Sequence, residues 1–292
     1  MNKDKLILVT GATGNQGGAV ARHLLARGYS VRAFTRNAEK LGAKALAGRG
    51  AQVAIGDLDD RTAIERALAG CYGVFSVQNF WETGRDREVR QGKTLADCAR
   101  AAGVKHFVYT SVAAANSKTG LPHFDSKWEI EEHIRRIGLP HSILRPVFFM
   151  QNWWNYMRDS ILAGTLALPL SPGRRLQQIH VDDIGAFAAL AFENPDRWLG
   201  RAFDLAGDEP TMTGVANTLS RVIGRTVKYV QVPWEQFRSQ SGEEMTLMYR
   251  WFEAVGYKTD IAAVRREYPQ LAMLEPVLRS QDWTEATVKK AA

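Results

Sequence analysis

The sequence predicts an α/β chain in which a doubly wound parallel sheet is followed by a smaller α+β domain. Three observations carry this. A glycine-rich turn, Gly11-Ala12-Thr13-Gly14-Asn15-Gln16-Gly17-Gly18, directly follows the apolar run Leu6-Ile7-Leu8-Val9 and precedes a helical pattern. Gly28, Gly70, Gly103 and Gly138 each follow a helix-like stretch and open a β-branched or aromatic run, the order helix, C-terminal glycine, strand. Past Arg145-Pro146 that alternation stops.

Taken in order, Leu6-Ile7-Leu8-Val9 reads as a strand buried on both faces. Behind the turn, Val20, Ala21, Leu24 and Leu25 recur at helical spacing. A strand over residues 31–34, a helix beginning near Asn37 and a strand over Gln52–Ile55 follow. Further strands fall at 73–77, 106–111 and 141–144, separated by helices near 60–69, 86–102 and 125–137. Six strands alternating with helices require parallel crossovers, hence a doubly wound sheet. Beyond Pro146, a Trp-rich helix over 152–162 leads into a Gly/Pro-punctuated stretch at 164–173. A short βα unit runs from 177 to about 192, and strands at Ala202–Leu205 and 227–232 mix with helices near 213–223 and 234–254. This assigns 1–152 with about 177–206 to a nucleotide-binding domain, and about 153–176 with 207–292 to a smaller one. The C-terminal tail reads as frayed.

The 292 residues are 45% hydrophobic and 24% charged, enough apolar content for a sizeable core and unlike a disordered chain. Cys71 and Cys98 are too few for a disulfide framework, and no His/Cys run has zinc-ligand spacing. A reducing, cytoplasmic setting without a bound metal is the expectation. The apolar run at 6–9 is too short for a signal-peptide core or a membrane span, and no longer one follows. The net charge of +7 (38 − 31) is dispersed in pairs such as Arg135-Arg136 and Arg174-Arg175, with no basic run, zinc finger or RNP-type motif. It reads as a solvated surface and not a nucleic-acid groove.

The chemistry starts at the glycine turn. Gly11, Gly14 and Gly17 let the backbone, with Thr13, Asn15 and Gln16, approach a pyrophosphate whose charge meets the amides and dipole of the helix beginning near Gly17. The next strand ends at Thr35-Arg36, where an NAD enzyme offers an acidic residue to the ribose hydroxyls. Arginine instead attracts a 2′-phosphate, so Thr35, Arg36 and Lys40 argue for NADP(H) over NAD(H). After the third strand, Asp57 beside Leu58 is placed to meet the adenine edge, while Asp59 or Asp60 caps the following helix.

In combination, the glycine turn, Thr35-Arg36, Gly56-Asp57, Tyr109-Thr110-Ser111, His123-Phe124-Asp125-Ser126-Lys127, and Arg145-Pro146 with Phe149 and Asn152 resemble the NmrA-like family of atypical short-chain dehydrogenases. The resemblance is closest to its HSCARG branch and covers most of the chain, most strongly 1–155. It implies a Rossmann domain, an NADP(H) site that includes Val77, Pro146, Phe149 and Asn152, and a small C-terminal domain closing a cleft above the nicotinamide. It also leaves two functions open, since the family includes NADPH-sensing regulators that turn over nothing and reductases of quinones and other aromatic acceptors. The partner is then a small aromatic substrate or a regulated protein, with a homodimer as one oligomeric state.

Mainstream short-chain dehydrogenases use Tyr-x-x-x-Lys, in which the lysine holds the nicotinamide ribose and lowers the tyrosine pKa. Here Lys127 stands at the lysine, His123 occupies the tyrosine position, and the tyrosine is absent. Lys127 is expected to anchor the ribose; His123 is either a proton donor or a loop histidine without a role. Ser111 lies at the carboxyl end of its strand, where ligands bind in such sheets, or simply ends the strand. Phe80-Trp81, Phe148-Phe149 and Trp153-Trp154 fall where this fold places its cleft, as walls for a flat substrate or as ordinary core. The segment 79–90, with Gly84 and alternating charges, reads as a mobile loop that orders on cofactor binding. In His180-Val181-Asp182-Asp183-Ile184, Asp182 or Asp183 is expected to cap the next helix, and both cysteines read as small buried hydrophobes.

Overall fold

Glycine stops and apolar runs translate directly into elements. The computed structural model describes residues 4–284; the C-terminal tail, read as frayed, lies outside the described residues from 285 onward. The first half runs β1 (Leu6–Val9), α1 (Asn15–Ala26), β2 (Ser30–Thr35), α2 (Leu41–Ala47), β3 (Gln52–Ile55), α3 (Arg61–Leu68), β4 (Gly73–Ser76), α4 (Phe80–Ala101), β5 (His106–Thr110), α5 (Pro122–Arg136) and β6 (His141–Pro146). The second half runs β7 (Phe148–Phe149), α6 (Asn152–Asn155), α7 (Arg158–Leu162), β8 (Thr165–Leu168), β9 (Gln178–Ile179), α8 (Val181–Glu193), α9 (Pro195–Trp198), β10 (Ala202–Leu205), α10 (Met212–Ile223), β11 (Lys228–Gln231), α11 (Trp234–Ser241), α12 (Glu243–Ala254), α13 (Ile261–Glu267) and α14 (Leu274–Arg279).

Seven strands form one parallel sheet in the order β10-β6-β5-β4-β1-β2-β3. From β1 the chain passes to β2 and β3 on one side, then crosses back to β4 on the other, so β1 and β4 flank the point where strand order reverses. Gly28 and Gly103 take left-handed φ values of 77° and 69° just past α1 and α4, a conformation that stops a helix at little cost only for glycine. The chain divides into two compact units, Met1–Pro146 with Val181–Asp204, and Val147–His180 with Leu205–Ala292. Residues 147–152, 177–180 and 205–206, read above with the first domain, fall in the second unit.

The first unit's core joins Leu8, Phe34, Ile64, Val74, Phe107 and Ile143. A Phe107→Ala change there removes a fully buried ring, worth about 3–5 kcal/mol. On the sheet's other face, α8 lies against α1 so closely that a Cβ on Gly185 would come within 2.8 Å of the Ala19 carbonyl carbon. The second unit has its own core, in which Phe148, Trp153, Leu166, Met212 and Phe252 pack together.

Four expectations change. The helix expected near Asn37 starts at Leu41, because Asn37 folds its own backbone into a turn: its Oδ1 accepts from the Glu39 amide at 2.8 Å. The segment 79–90 is not a loop but the start of α4, interrupted only at Gly84 (φ 72°, ψ 172°). Its charges find partners across the surface, Arg85 with Glu129 and Arg87 with Asp59, while Glu88 and Val89 turn inward. The Trp-rich helix at 152–162 is two short helices, α6 and α7, and the one at 234–254 is broken at Gly242 (φ 81°). At the start of α8, Asp182 ties that helix to α1: it accepts from His23 Nε2 at 2.9 Å and pairs with Arg22 at 3.4 Å, and the His23 hydrogen bond holds its carboxyl down at about 2.

Candidate functional site

Where β1 ends, the backbone leaves no room for side chains. A Cβ on Gly17 would sit 2.3 Å from the Gly11 carbonyl oxygen and 2.5 Å from that of Thr10. Gly11 has φ 57°, and a Cβ there would meet Val77 Cγ1 at 2.7 Å. The turn is braced by Gly14 N–H donating to Gly11 O (2.9 Å) and by the Val77 amide donating to Thr10 Oγ1 (2.9 Å), which staples the end of β4 to the turn. Gln16 is held from the far side, its Oε1 accepting from Thr110 Oγ1 at 2.8 Å. Gly14 and Asn15 are exposed and Thr13 half-buried. The first turn of α1 has no side-chain cap and no acidic residue, so its amides are suited to an anion.

At the end of β2, Thr35 is buried and its Oγ1 accepts from the Asn37 amide at 3.3 Å. Arg36 is half exposed and ion-pairs with Glu82 in the first turn of α4. That hydrogen bond raises the arginine and holds the Glu82 carboxyl below its usual range, with Lys40, itself exposed, adding to the latter. Past β3, Asp57 Oδ1 accepts from the Asp59 amide (3.0 Å), Leu58 packs on the core, and Asp60 is the residue that caps α3, through Ala63 N–H at 3.0 Å. Asp59 instead holds Arg87 at 2.5 Å and Gln91 at 3.1 Å.

β4 and β5 pair in the register Ser76↔Tyr109, so Gln78 and Ser111 are each two residues past the same rung. Ser111 is 4% exposed and its Oγ has no partner among the described residues; Gln78, 6% exposed, donates to Ser76 Oγ at 3.0 Å but leaves Oε1 unmet. A buried polar atom without a partner costs about 1–3 kcal/mol. Two of them at adjacent strand ends, beside a glycine cradle, fit the polar ribose and carboxamide of a nicotinamide nucleotide.

α5 starts at Pro122, earlier than expected, and carries His123 and Lys127 in its first turns. His123 is buried among aromatic rings: Phe124 at 4.6 Å, Trp81 at 5.2 Å and Phe80 at 5.5 Å. Lys127 Nζ donates to Glu88 Oε1 at 2.5 Å, and Ser126 Oγ donates to Glu88 Oε2 at 2.5 Å. One turn on, Glu131 accepts two bonds from Arg145 (2.9 and 2.6 Å) and one from Arg135 (2.8 Å). The Arg145-Pro146 pair is thus structural at its arginine, while Pro146 is buried and its carbonyl accepts from the Ala113 amide at 3.0 Å. Tyr109, fully buried near both carboxylates, has its phenol pushed well up by burial first and then by Glu88 and Glu131.

In the second unit, Trp153 has no exposed surface and donates from Nε1 to Gln178 Oε1 at 2.7 Å, with the nearly buried Phe148 ring 5.1 Å away. Both are core residues and not substrate walls, because their rings are consumed by packing. Phe149, Asn152 and Trp154 are half-buried, Trp154 against the same core. Of the expected walls in the first unit, Phe80 is half-buried and Trp81 54% exposed. Burial raises both cysteine thiols, which makes them poor nucleophiles. Among the described residues no helix is long and apolar enough to cross a membrane, and no group of side chains is placed to hold a metal ion.

Three site residues escape a reading of the sequence: Thr10, Gln78 and Glu88. The available signal was for Glu88, which shares a helical face with Gly92, Leu95 and Ala99, an apolar stripe in which a carboxylate is out of place.

The model of the NmrA-like family matches residues 3–281. An NAD(P)H azoreductase of Xenophilus azovorans is 33% identical over 236 residues, covering 79% of this chain and 78% of that protein. Two solved structures share the fold. The triphenylmethane reductase of Citrobacter sp. complexed with NADP(H) is similar with a TM-score of 0.79 at 23% identity, over 94% of this chain and 99% of that one. NmrA, a negative transcriptional regulator solved with NADP and also with NAD, is similar in its NADP complex with a TM-score of 0.78 at 22% identity, over 96% of this chain and 99% of the other.

Proposed function

The chain belongs to the NmrA-like family, and on that premise we propose that it is an oxidoreductase that binds NADP(H) in preference to NAD(H) and reduces an aromatic or quinone-like acceptor by hydride transfer. The observation that carries the reading is the pair of unmet buried atoms, Ser111 Oγ and Gln78 Oε1, at the strand ends beside a glycine turn that excludes a Cβ. Within the family, the combination of the glycine turn with His123-Phe124-Asp125-Ser126-Lys127 favours the HSCARG branch.

The bound cofactor supplies the hydride. The amides of the 11–17 turn meet its pyrophosphate, Arg36 with Lys40 meets the 2′-phosphate, and Asp57 the adenine edge. Lys127 holds the ribose hydroxyls, and Ser111 and Gln78 offer polar partners beside them. Phe80 and Trp81 present aromatic surface next to His123. An acceptor that spreads its charge over a conjugated system needs less from a positioned acid than a carbonyl does. The loss of the tyrosine is then tolerable, with His123 or water delivering the proton. The azo chemistry named for the 33% identical relative is of this delocalised kind.

A regulator that senses NADP(H) and acts through a protein partner is the second reading. It is favoured by the confinement of His123, 6% exposed among three rings, which restricts proton delivery. Single-turnover absorbance of bound NADPH against a panel of quinones, azo dyes and triphenylmethane dyes decides between them. The expected result is decay faster than that of free NADPH with at least one acceptor class. A flat trace across the panel, with tight NADPH binding intact, replaces the enzyme by the sensor.

A further inference from the structure

We propose that Glu88 is a positioning residue of the cofactor site, its buried carboxylate holding the Lys127 ammonium where it meets the nicotinamide ribose; this rests on the reading of Lys127 as the ribose anchor. A lysine in the first turns of a helix has a flexible four-carbon stem and a strongly hydrated head, and left alone it samples many rotamers. Lys127 does not have that freedom. Its side chain is 15% exposed and its ammonium lies 2.5 Å from a carboxylate with no exposed surface at all. An ammonium has three donors, and Glu88 is its one acceptor among the described residues, so two remain for hydroxyls of a ligand.

The second carboxylate oxygen takes the Ser126 hydroxyl at 2.5 Å, so the carboxylate cannot rotate away from the lysine without losing that bond. Glu88 thereby ties α4 to the turn of α5 that also carries His123. Packing does not demand a carboxylate at this position. The neighbouring positions on the same face are apolar or small, and Gly92 is so close to α5 that a Cβ there would come 2.5 Å from Ile130 Cδ1. A buried ion pair commonly adds no more stability than an apolar pair of the same size.

The other buried carboxylate on this face makes the contrast. Glu131 is enclosed by two arginines, with both oxygens on the Arg145 fork, and Arg145 is only 9% exposed. The main cation of that cluster is already committed elsewhere, since Arg145 also reaches Asn116 at 3.3 Å and Asp204 at 3.8 Å, whereas Lys127 has Glu88 as its one acceptor among the described residues.

The test is a double-mutant cycle read by two ligands. NADPH probes the whole site, and adenosine 2′,5′-bisphosphate probes the adenosine end alone. Glu88→Gln keeps the shape of the side chain and removes its charge; it is expected to weaken NADPH about tenfold, in line with loss of a charge-assisted contact. It should leave the bisphosphate affinity unchanged. Lys127→Met should weaken NADPH at least as much, and adding Glu88→Gln to Lys127→Met should produce no further loss, because nothing is left to position. Equal losses for both ligands, a full additional loss in the double variant, or unchanged NADPH affinity in Glu88→Gln overturns the proposal. If Lys127→Met binds NADPH as well as the unmutated chain, the lysine reading itself is wrong and the proposal falls with it. Should Glu88→Gln fail to fold, Ser126→Ala frees one carboxylate oxygen without removing charge. It must then weaken NADPH in the presence of Lys127 and have no effect beside Lys127→Met.

Discussion

In the proposed site, the groups at the adenosine end are backbone and exposed side chains, while those at the nicotinamide end are buried or largely buried side chains. Gly11 and Gly17 leave no room for a side chain, and Arg36 is half exposed and already shared with Glu82. Ser111, Gln78, Glu88 and Lys127 instead sit in or under the surface, where an unpaired polar atom or charge is expensive. The two ends of such a site therefore fail by different physics. The glycine cradle fails through steric exclusion, Arg36 through screened electrostatics, and the Lys127 end through desolvated electrostatics.

The comparison breaks first at Gly17. A Gly17→Ala change drives a methyl group onto two backbone carbonyls at 2.3 and 2.5 Å, and neither can move without opening the turn. Overpacking of this kind removes about 1–3 kcal/mol of stability, and NADPH affinity should fall by more than about a hundredfold. Equilibrium binding together with a thermal melt checks both. An affinity within threefold of the unmutated chain means that the cradle is not where the pyrophosphate sits.

Arg36→Asp sharpens the distinction between the two ends. It should erase a preference for NADPH over NADH of about tenfold to hundredfold, the worth of one charge-assisted phosphate contact at about 1.5–3 kcal/mol. NADH affinity should hardly change, and raising the salt concentration should weaken NADPH more than NADH in the unmutated chain. Equal affinities for both cofactors before mutation remove the role given to Arg36.

The smallest effect belongs to a charge at neither end. The folded Asp182 carboxyl is lowered from 3.8 to about 2, chiefly by the hydrogen bond from His23 and then by Arg22. A depressed carboxylate contributes stability that is fully present above its unfolded pKa and is lost as pH falls through the folded one, here between about pH 4 and 2. With 44% of the side chain exposed, that contribution is below about 1 kcal/mol. Asp182→Asn should therefore lower the melting temperature slightly at pH 7, lose that difference by pH 2, and leave NADPH affinity untouched. A change in cofactor affinity here would show that the α1–α8 contact reaches the glycine turn.

Much of the fold was legible in advance because it is written locally. β1, β3 and β10 lie where apolar or β-branched runs predict them, and the left-handed glycines mark helix ends that a composition pattern reveals. The shape of the glycine turn was legible for the same reason, since it is set by its own backbone, and so was the exposed charge of Arg36 at the end of β2. The start of α4 was not, since the charges of 79–90 look like a loop until Arg85 and Arg87 find Glu129 and Asp59 on other elements. Trp153 and Phe148 look like binding surface in sequence, and only packing distinguishes a wall from a core.

By itself, then, the sequence determined what depends on near neighbours along the chain: the β-α alternation, the turn with no side chains at β1, and the charge at the end of β2. The tertiary structure decided which polar groups are buried and what they face. In the sequence Glu88 is only an acid out of place in an apolar stripe; once α4 packs on α5 and water is withdrawn from it, it is paired with a cation, which among the described residues is Lys127. Desolvation is a property of the packed state, and no spacing of residues along the chain contains it.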